Sequence, residues 1–241
     1  MVLIFDLDDT LFDEMNYVRS GLNAVADFGQ NSFGWDSIAS FSFMYTYLLK
    51  QGRGKVFDEW LKTHGKHSKS QVINCLNVYR GHAPKISLAH STFQLLEYYK
   101  SRRPLYLVTD GNKNVQQKKI DALGIERFFN RCYVTHRYGT KHAKPSLFCF
   151  EKIREIQKCL WSEMIYVGDN PKKDFVNLNS VGATTVRVLT GSYAADIALP
   201  GFDALHSIKS LSELPLVLSV LAKSDQNLLI KRGRGISPCL Y

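Results

Sequence analysis

A chain of 241 residues with 45% hydrophobic and 22% charged residues reads as a soluble globular protein of one sizeable domain, or of one domain carrying a smaller second. Its net charge of +9 favours anionic partners, whether phosphorylated metabolites, nucleic acid or acidic lipid. The longest apolar stretch toward the C-terminus, 214–222, is too short to cross a bilayer and holds Pro215 and Ser219, so no membrane partner is expected.

The chain opens on MVLIF, a β-branched and aromatic run that predicts a buried strand over 2–5. Asp6 interrupts it at once, which argues against a signal peptide. Helical patterns then occupy the chain from Asp13 to about Gly81. Segment 13–28 has Val18, Leu22, Val25 and Ala26 at helical spacing and ends near Gly29. Aromatic-rich 35–50 stops at Gly52-Arg53-Gly54, and 56–64 and 68–79 follow around a polar break. Between residues 50 and 85 eight Lys/Arg face only Asp58 and Glu59, a local charge of +6 that is either an anion-attracting patch or a solvated face.

After Pro84 the chain alternates. Helix 89–101 precedes strand 105–109, and helix 115–123, closed by Gly124, precedes strand 131–135. Helix 146–158, with Pro145 placed to open it, precedes strand 164–167; helix 172–180 precedes strand 184–188. Such alternation predicts an α/β fold, a Rossmann-like parallel sheet with helices on both faces, into which an all-α segment of about four helices is inserted after the first strand. The expected division is a core of 1–13 and 85–215, an insertion of 14–84 and a C-terminal extension of 216–241. Five scattered cysteines with no C-x-x-C spacing suit reduced core thiols, and a cytoplasmic location is expected.

Open parallel sheets bind ligands beyond the carboxyl ends of their strands. Four of the predicted strands are followed by groups suited to one task. Asp6 and Asp8 follow the first, Thr109-Asp110-Gly111 closes the second, Lys144 lies in the loop after the third, and Gly168-Asp169 through Asp174 follows the fourth. Carboxylates of Asp6, Asp169 and Asp174 offer the hard oxygens that Mg2+ prefers, and a cation there relieves the repulsion crowded into DLDDT. Lys144, the Thr109 hydroxyl and the amides at Asp110 and Gly111 suit a phosphoryl group. Asp6 is then a candidate carboxylate nucleophile and Asp8 a proton donor and acceptor. Asp9 is expected to make local hydrogen bonds and Thr10 to bond the turn. Asn112 is expected to cap the next helix. His136 and His142 are expected in surface or structural roles, and Lys144 is favoured over Lys141 for the phosphate.

These four motifs, in this order, resemble those of the haloacid dehalogenase-like superfamily in its phosphatase branch, from residue 1 to about 215. The resemblance implies that Asp6 is phosphorylated and Asp8 is the general acid and base. It implies Mg2+ on the Asp6 carboxylate, the Asp8 main-chain carbonyl and the Asp169 carboxylate, with Asp174 as an outer ligand or an orienter of Lys144. It also implies that the helical insertion is a cap over the site. Dehalogenases of the superfamily lack the second aspartate, so Asp8 favours phosphoester chemistry. The expected substrate is a small phosphorylated metabolite, with sugar phosphates, acylneuraminate phosphates and nucleoside monophosphates in reach. A sugar phosphomutase, or a non-catalytic binding protein retaining the fold, are the alternatives. Tyr45, Tyr47, Arg53 and Lys55 are candidate specificity residues, although the aromatic stretch 41–47 reads first as bundle core. The short basic cluster 231–234 lacks interleaved aromatics, and nucleic acid is not an expected partner.

Overall fold

The computed structural model describes the backbone of residues 1–233 and the side chains of residues 1–223. In chain order the elements are β1 (Val2–Phe5), α1 (Glu14–Phe33), α2 (Ser37–Gln51), α3 (Val56–Thr63), α4 (Lys69–Gly81), α5 (His90–Lys100), β2 (Leu105–Thr109) and α6 (Lys113–Leu123). Then come β3 (Arg131–Val134), α7 (Phe148–Gln157), β4 (Met164–Gly168), α8 (Val176–Ser180), β5 (Thr184–Val188), β6 (His206–Ile208) and α9 (Leu214–Gly233).

The six strands form one parallel sheet in the order β3-β2-β1-β4-β5-β6. Alternate residues of each strand face opposite ways, and both faces are covered. Leu3, Phe5, Leu105, Leu107, Ile165 and Val167 pack with α5, α6 and α9, whereas Val2, Ile4, Tyr106, Val108, Met164 and Tyr166 pack with α7 and α8. Each such fully buried side chain stabilises the fold by about 1.5–3 kcal/mol. β1 lies between β2 and β4, with Phe5 in register with both Leu107 and Val167. The chain order reverses there, which opens a crevice at the carboxyl end of β1.

Helices α1–α4 enclose a core of their own, built on Val18, Leu22, Val25, Met44, Trp60 and Leu61. Asp13, Asp36 and Ser68 cap α1, α2 and α4 by accepting hydrogen bonds from the amides of Met15, Ala39 and Gln71. Met44 is fully buried and Phe41, Tyr45 and Tyr47 pack beside that core, while Phe43 is 36% exposed.

Several expectations shift. α1 passes through Gly29 and ends at Gly34, whose φ of 73° suits a left-handed cap. Gly29 is a packing residue: a Cβ there would come within 2.8 Å of the Trp60 indole. Pro145 does not open α7, which starts at Phe148; it lies in the preceding turn, after a cis peptide. β6 is too short and polar to announce itself. The expected boundary at 215/216 falls inside α9, because Leu214 and Leu218 are buried in the main core. Among the described residues no helix is long and apolar enough to cross a membrane. The side chains of the basic cluster 231–234 lie outside the described residues.

Candidate active site

The fourth residue of β1 hands the chain directly to the site. The Asp6 amide donates to the Val167 carbonyl at 2.9 Å, so Asp6 extends the strand pairing and its side chain emerges in the crevice, 5% exposed. The buried Lys144 ammonium lies 3.0 Å from Asp6 Oδ1, 2.8 Å from Asp174 Oδ1 and 2.8 Å from the Tyr166 hydroxyl. Burial alone would push this lysine toward neutrality, but Asp174 and Asp6 outweigh it and hold it well above the usual lysine value.

Asp169 completes a carboxylate cluster. Oxygens of Asp6, Asp169 and Asp174 lie within 4.8 Å of one another, all buried. Burial moves the Asp6 carboxyl up to about 6, against the pull of Lys144. Burial, with Asp6 and Asp174 beside it, moves Asp169 up to about 8. Three carboxylates with one buried ammonium among them are an all-oxygen donor set short of positive charge, which fits a hard divalent cation. Asp174 is the most committed of the three. Its Oδ2 accepts from the Asn170 amide at 2.9 Å and its Oδ1 meets Lys144, leaving Asp6 and Asp169 freer to face an ion. Thr10 reaches across to Asp169 at 3.5 Å rather than bonding its own turn.

Asp8 lies beyond the strand. Its Oδ1 pairs with Lys119 at 2.7 Å and its Oδ2 accepts from the Gln116 amide at 2.8 Å. Burial raises its pKa, Lys119 opposes this, and Glu14 adds to it. Asp9 also lines the cavity, with a left-handed φ of 54° that aspartate tolerates, and its bonds reach beyond its own turn. Its carboxylate accepts from the amides of Glu14 at 2.9 Å and Ser192 at 3.1 Å, and its carbonyl accepts from the Thr190 hydroxyl. Gly191 makes this approach feasible, since a Cβ there would fall 2.0 Å from Asp9 Cγ.

The wall opposite is the end of β2. Thr109 is 1% exposed, and its hydroxyl accepts from Gln116 at 2.9 Å. The Asp110 carboxylate accepts from Thr135 at 2.7 Å, from the Lys144 amide at 3.1 Å and from Lys173 at 2.9 Å. Burial works against its charge, but Lys144 and Lys173 hold its pKa below the usual carboxylate range. Its side chain is thus a brace, and what Asp110 and Gly111 can offer an anion is main-chain N–H.

Asp6, Asp8, Thr109, Asp110, Gly111 and Asp169 line one cavity of about 600 Å3, with Lys144 and Asp174 buried directly behind Asp6. Arg53 joins that wall from the insertion, gripping Glu14 at 2.6 and 3.3 Å. The other specificity candidates do not reach it. The Tyr45 hydroxyl is taken by Arg19 at 3.0 Å, Tyr47 stacks on Phe43 at the far side of α2, and Lys55 is exposed at the start of α3. Lys141 is also exposed, in a 3-10 turn, so Lys144 alone of the two reaches Asp6. His136 lines the cavity, contrary to expectation, while His142 stacks on Phe148. Asn112 caps α6. Sequence reasoning missed Glu14, Gln116, Lys119, Tyr166 and Lys173. Of these only Lys173 carried a signal, its place inside the Gly168–Asp174 run.

Comparison with known proteins fits this geometry. The model of the haloacid dehalogenase-like hydrolase family matches residues 1–182. Two archaeal relatives are named glyceraldehyde 3-phosphate phosphatase. That of Methanocaldococcus jannaschii is 28% identical over 232 residues, covering 92% of this chain and 98% of its own. That of Pyrococcus furiosus is 26% identical over 243 residues, covering 93% and 94%. Among solved structures, the HAD-hydrolase YfnB from Bacillus subtilis, bound to magnesium, shares the fold with a TM-score of 0.65 at 18% identity, covering 90% of this chain and 97% of that one. A HAD phosphatase from Thermococcus onnurineus gives a TM-score of 0.57 at 23% identity with the same coverage. A family match over most of the chain, on a sheet that gathers these strand-end groups around one cavity, leads to one conclusion: the chain belongs to the haloacid dehalogenase-like hydrolase family.

Proposed function

We propose that this hydrolase is a Mg2+-dependent phosphatase of small phosphorylated metabolites, of the sugar phosphate type, acting through an aspartyl-phosphate at Asp6. The observation that carries the reading is the buried contact of Asp6 with Lys144 at 3.0 Å, beside Asp169 and opposite Thr109. Two relatives named glyceraldehyde 3-phosphate phosphatase favour a short sugar phosphate. Asp8 favours an alcohol leaving group that needs a proton over a halide, which needs none.

The metal would be held by the Asp6 and Asp169 carboxylates with the Asp8 carbonyl, and would neutralise charge on the phosphoryl oxygens. An Asp6 oxygen attacks phosphorus in line, the new O–P bond forms as the ester P–O bond breaks, and the departing alcohol oxygen takes a proton from Asp8. Asp8, now ionised, takes a proton from water, which attacks the aspartyl-phosphate and releases inorganic phosphate. Lys144 balances the Asp6 charge, Thr109 and the amides of Asp110 and Gly111 donate to the phosphoryl oxygens, and Asp174 fixes Lys144. Helices α1–α4 act as a cap, with Arg53 at its contact with the substrate. Cys75, Cys132, Cys149 and Cys159 are free thiols, which supports a reducing, cytoplasmic setting.

The test is phosphate release from a panel of sugar phosphates and nucleotides with Mg2+ and with a chelator. Wild type is expected to release phosphate only with metal. Asp6→Asn is expected to abolish release while its Tm stays within a few degrees. An Asp6→Asn protein with wild-type turnover would end the covalent mechanism.

A further inference from the structure

Helix α6 presents two buried polar side chains that the strand-end motifs do not use. Gln116 and Lys119 stand three residues apart, hence on one helix face, and each is 2% exposed. That face meets Asp8, and it gives each carboxylate oxygen its own donor. Lys119 Nζ lies 2.7 Å from Oδ1 and Gln116 Nε2 lies 2.8 Å from Oδ2. Lys119 is otherwise enclosed by the Tyr17 ring, 4.4 Å away, and by Glu14 at 3.5 Å. An ammonium so enclosed is costly to bury without carboxylate partners, so its place here depends on Asp8 and Glu14. The two N–H groups of Gln116 Nε2 are shared among three acceptors, since the Thr109 hydroxyl at 2.9 Å and the Asp110 carbonyl also lie within reach, tying Asp8 to the opposite wall.

We infer that Lys119 and Gln116 are positioning residues that aim the Asp8 carboxyl at the leaving oxygen of the substrate. This rests on the phosphatase reading above, in which Asp8 hands its proton to the alcohol as the P–O bond breaks. Both hold the Asp8 carboxyl itself, and any effect on the substrate passes through it. A carboxyl group has about four acceptor directions, and α6 occupies two, which leaves the others open toward the cavity that Asp8 lines. Fixing the remaining rotations of Asp8 before the substrate arrives removes an orientation cost from the proton-transfer step.

The test compares two substrates through kcat/KM, which reports only the steps up to departure of the alcohol. Glyceraldehyde 3-phosphate loses an alkoxide that needs a proton; p-nitrophenyl phosphate loses a phenolate that does not. Lys119→Met is expected to lower kcat/KM on the alkyl ester on the order of 100-fold and on the aryl ester less than about 5-fold. Lys119→Arg is expected to recover much of the alkyl activity. Because Lys119→Met leaves Asp8 without its cation and can fail to fold, Gln116→Met carries the same readout. Its effect through Thr109 acts on the phosphoryl group common to both esters and cancels in the ratio. An equal loss on both esters, or no loss on either, overturns the assignment while the phosphatase reading stands. A wild type inactive with Mg2+ on both esters and on the whole sugar phosphate and nucleotide panel removes the phosphatase reading, and this assignment with it.

Discussion

Replacing Lys144 with methionine removes a buried charge and leaves no hole, because the two side chains have similar length. The ammonium lies 3.0 Å from Asp6 and 2.8 Å from Asp174. At an effective dielectric of about 20 each contact is worth roughly 5–6 kcal/mol of raw Coulomb energy. Most of this offsets the desolvation of three ions. The cost of removal is better taken from buried pairs that lose one partner, about 3–5 kcal/mol. The titration of Asp6 sets the sign with pH. Its pKa is already raised from 3.8 to about 6, and Lys144 is the largest influence holding it down. Without the lysine it moves higher, so native Lys144→Met holds a proton that its unfolded chain lacks over a wider range. Stability of the variant then falls as pH rises through that window. The deficit should approach 3–5 kcal/mol at pH 8 and be about half that or less at pH 5. Urea unfolding of both proteins with metal chelated, at the two pH values, measures it. A variant within about 1 kcal/mol of wild type at pH 8, or a larger deficit at pH 5 than at pH 8, refutes the reasoning.

Further outcomes follow from the same cluster and from the cap. Native Asp169, raised to about 8, keeps a proton that the unfolded chain has lost above its ordinary value of 3.8. Metal-free wild type should therefore lose up to about 1.4 kcal/mol per pH unit between pH 6 and 8, read as a falling Tm in chelator. Mg2+ competes with that proton and should raise Tm more at pH 8 than at pH 6; equal shifts would count against the carboxylate cluster as its site. Arg53→Ala should raise KM for a short sugar phosphate roughly tenfold with kcat within about threefold, whereas Lys55→Ala should change neither in the same steady-state assay.

The gathering of the candidate groups was legible because a strand end is a local signal. Asp6, Thr109, Lys144 and Asp169 each follow a short apolar run or its loop, and register on a parallel sheet carries them to one edge. The helices of the insertion were legible through their apolar spacing and capping residues. What spacing does not encode is which helix face closes on the cavity. Asp8 and Lys119 are 111 residues apart, and nothing in the α6 segment marks Lys119 as different from Lys118, which is bonded at the other side to the Gly81 and His82 carbonyls. Tyr45 and Tyr47 went astray for the same reason, since spacing along α2 does not say which face turns to the cavity, and Lys55, between α2 and α3, is exposed. Gly29 looked like a stop because a packing glycine and a terminating glycine are one letter; only Trp60 tells them apart.

The clasp between Asp9 and the Gly191–Ser192 turn reaches past the segment that the family model matches. The turn after β5 thereby becomes part of the foundation under Asp8, although it contributes no reacting group. Transplanting this arrangement to another sheet by copying the strand ends alone would carry over the motif residues and leave behind the turn that anchors Asp9. Divergence in that turn would loosen Asp9, the neighbour of Asp8, without touching a single motif residue.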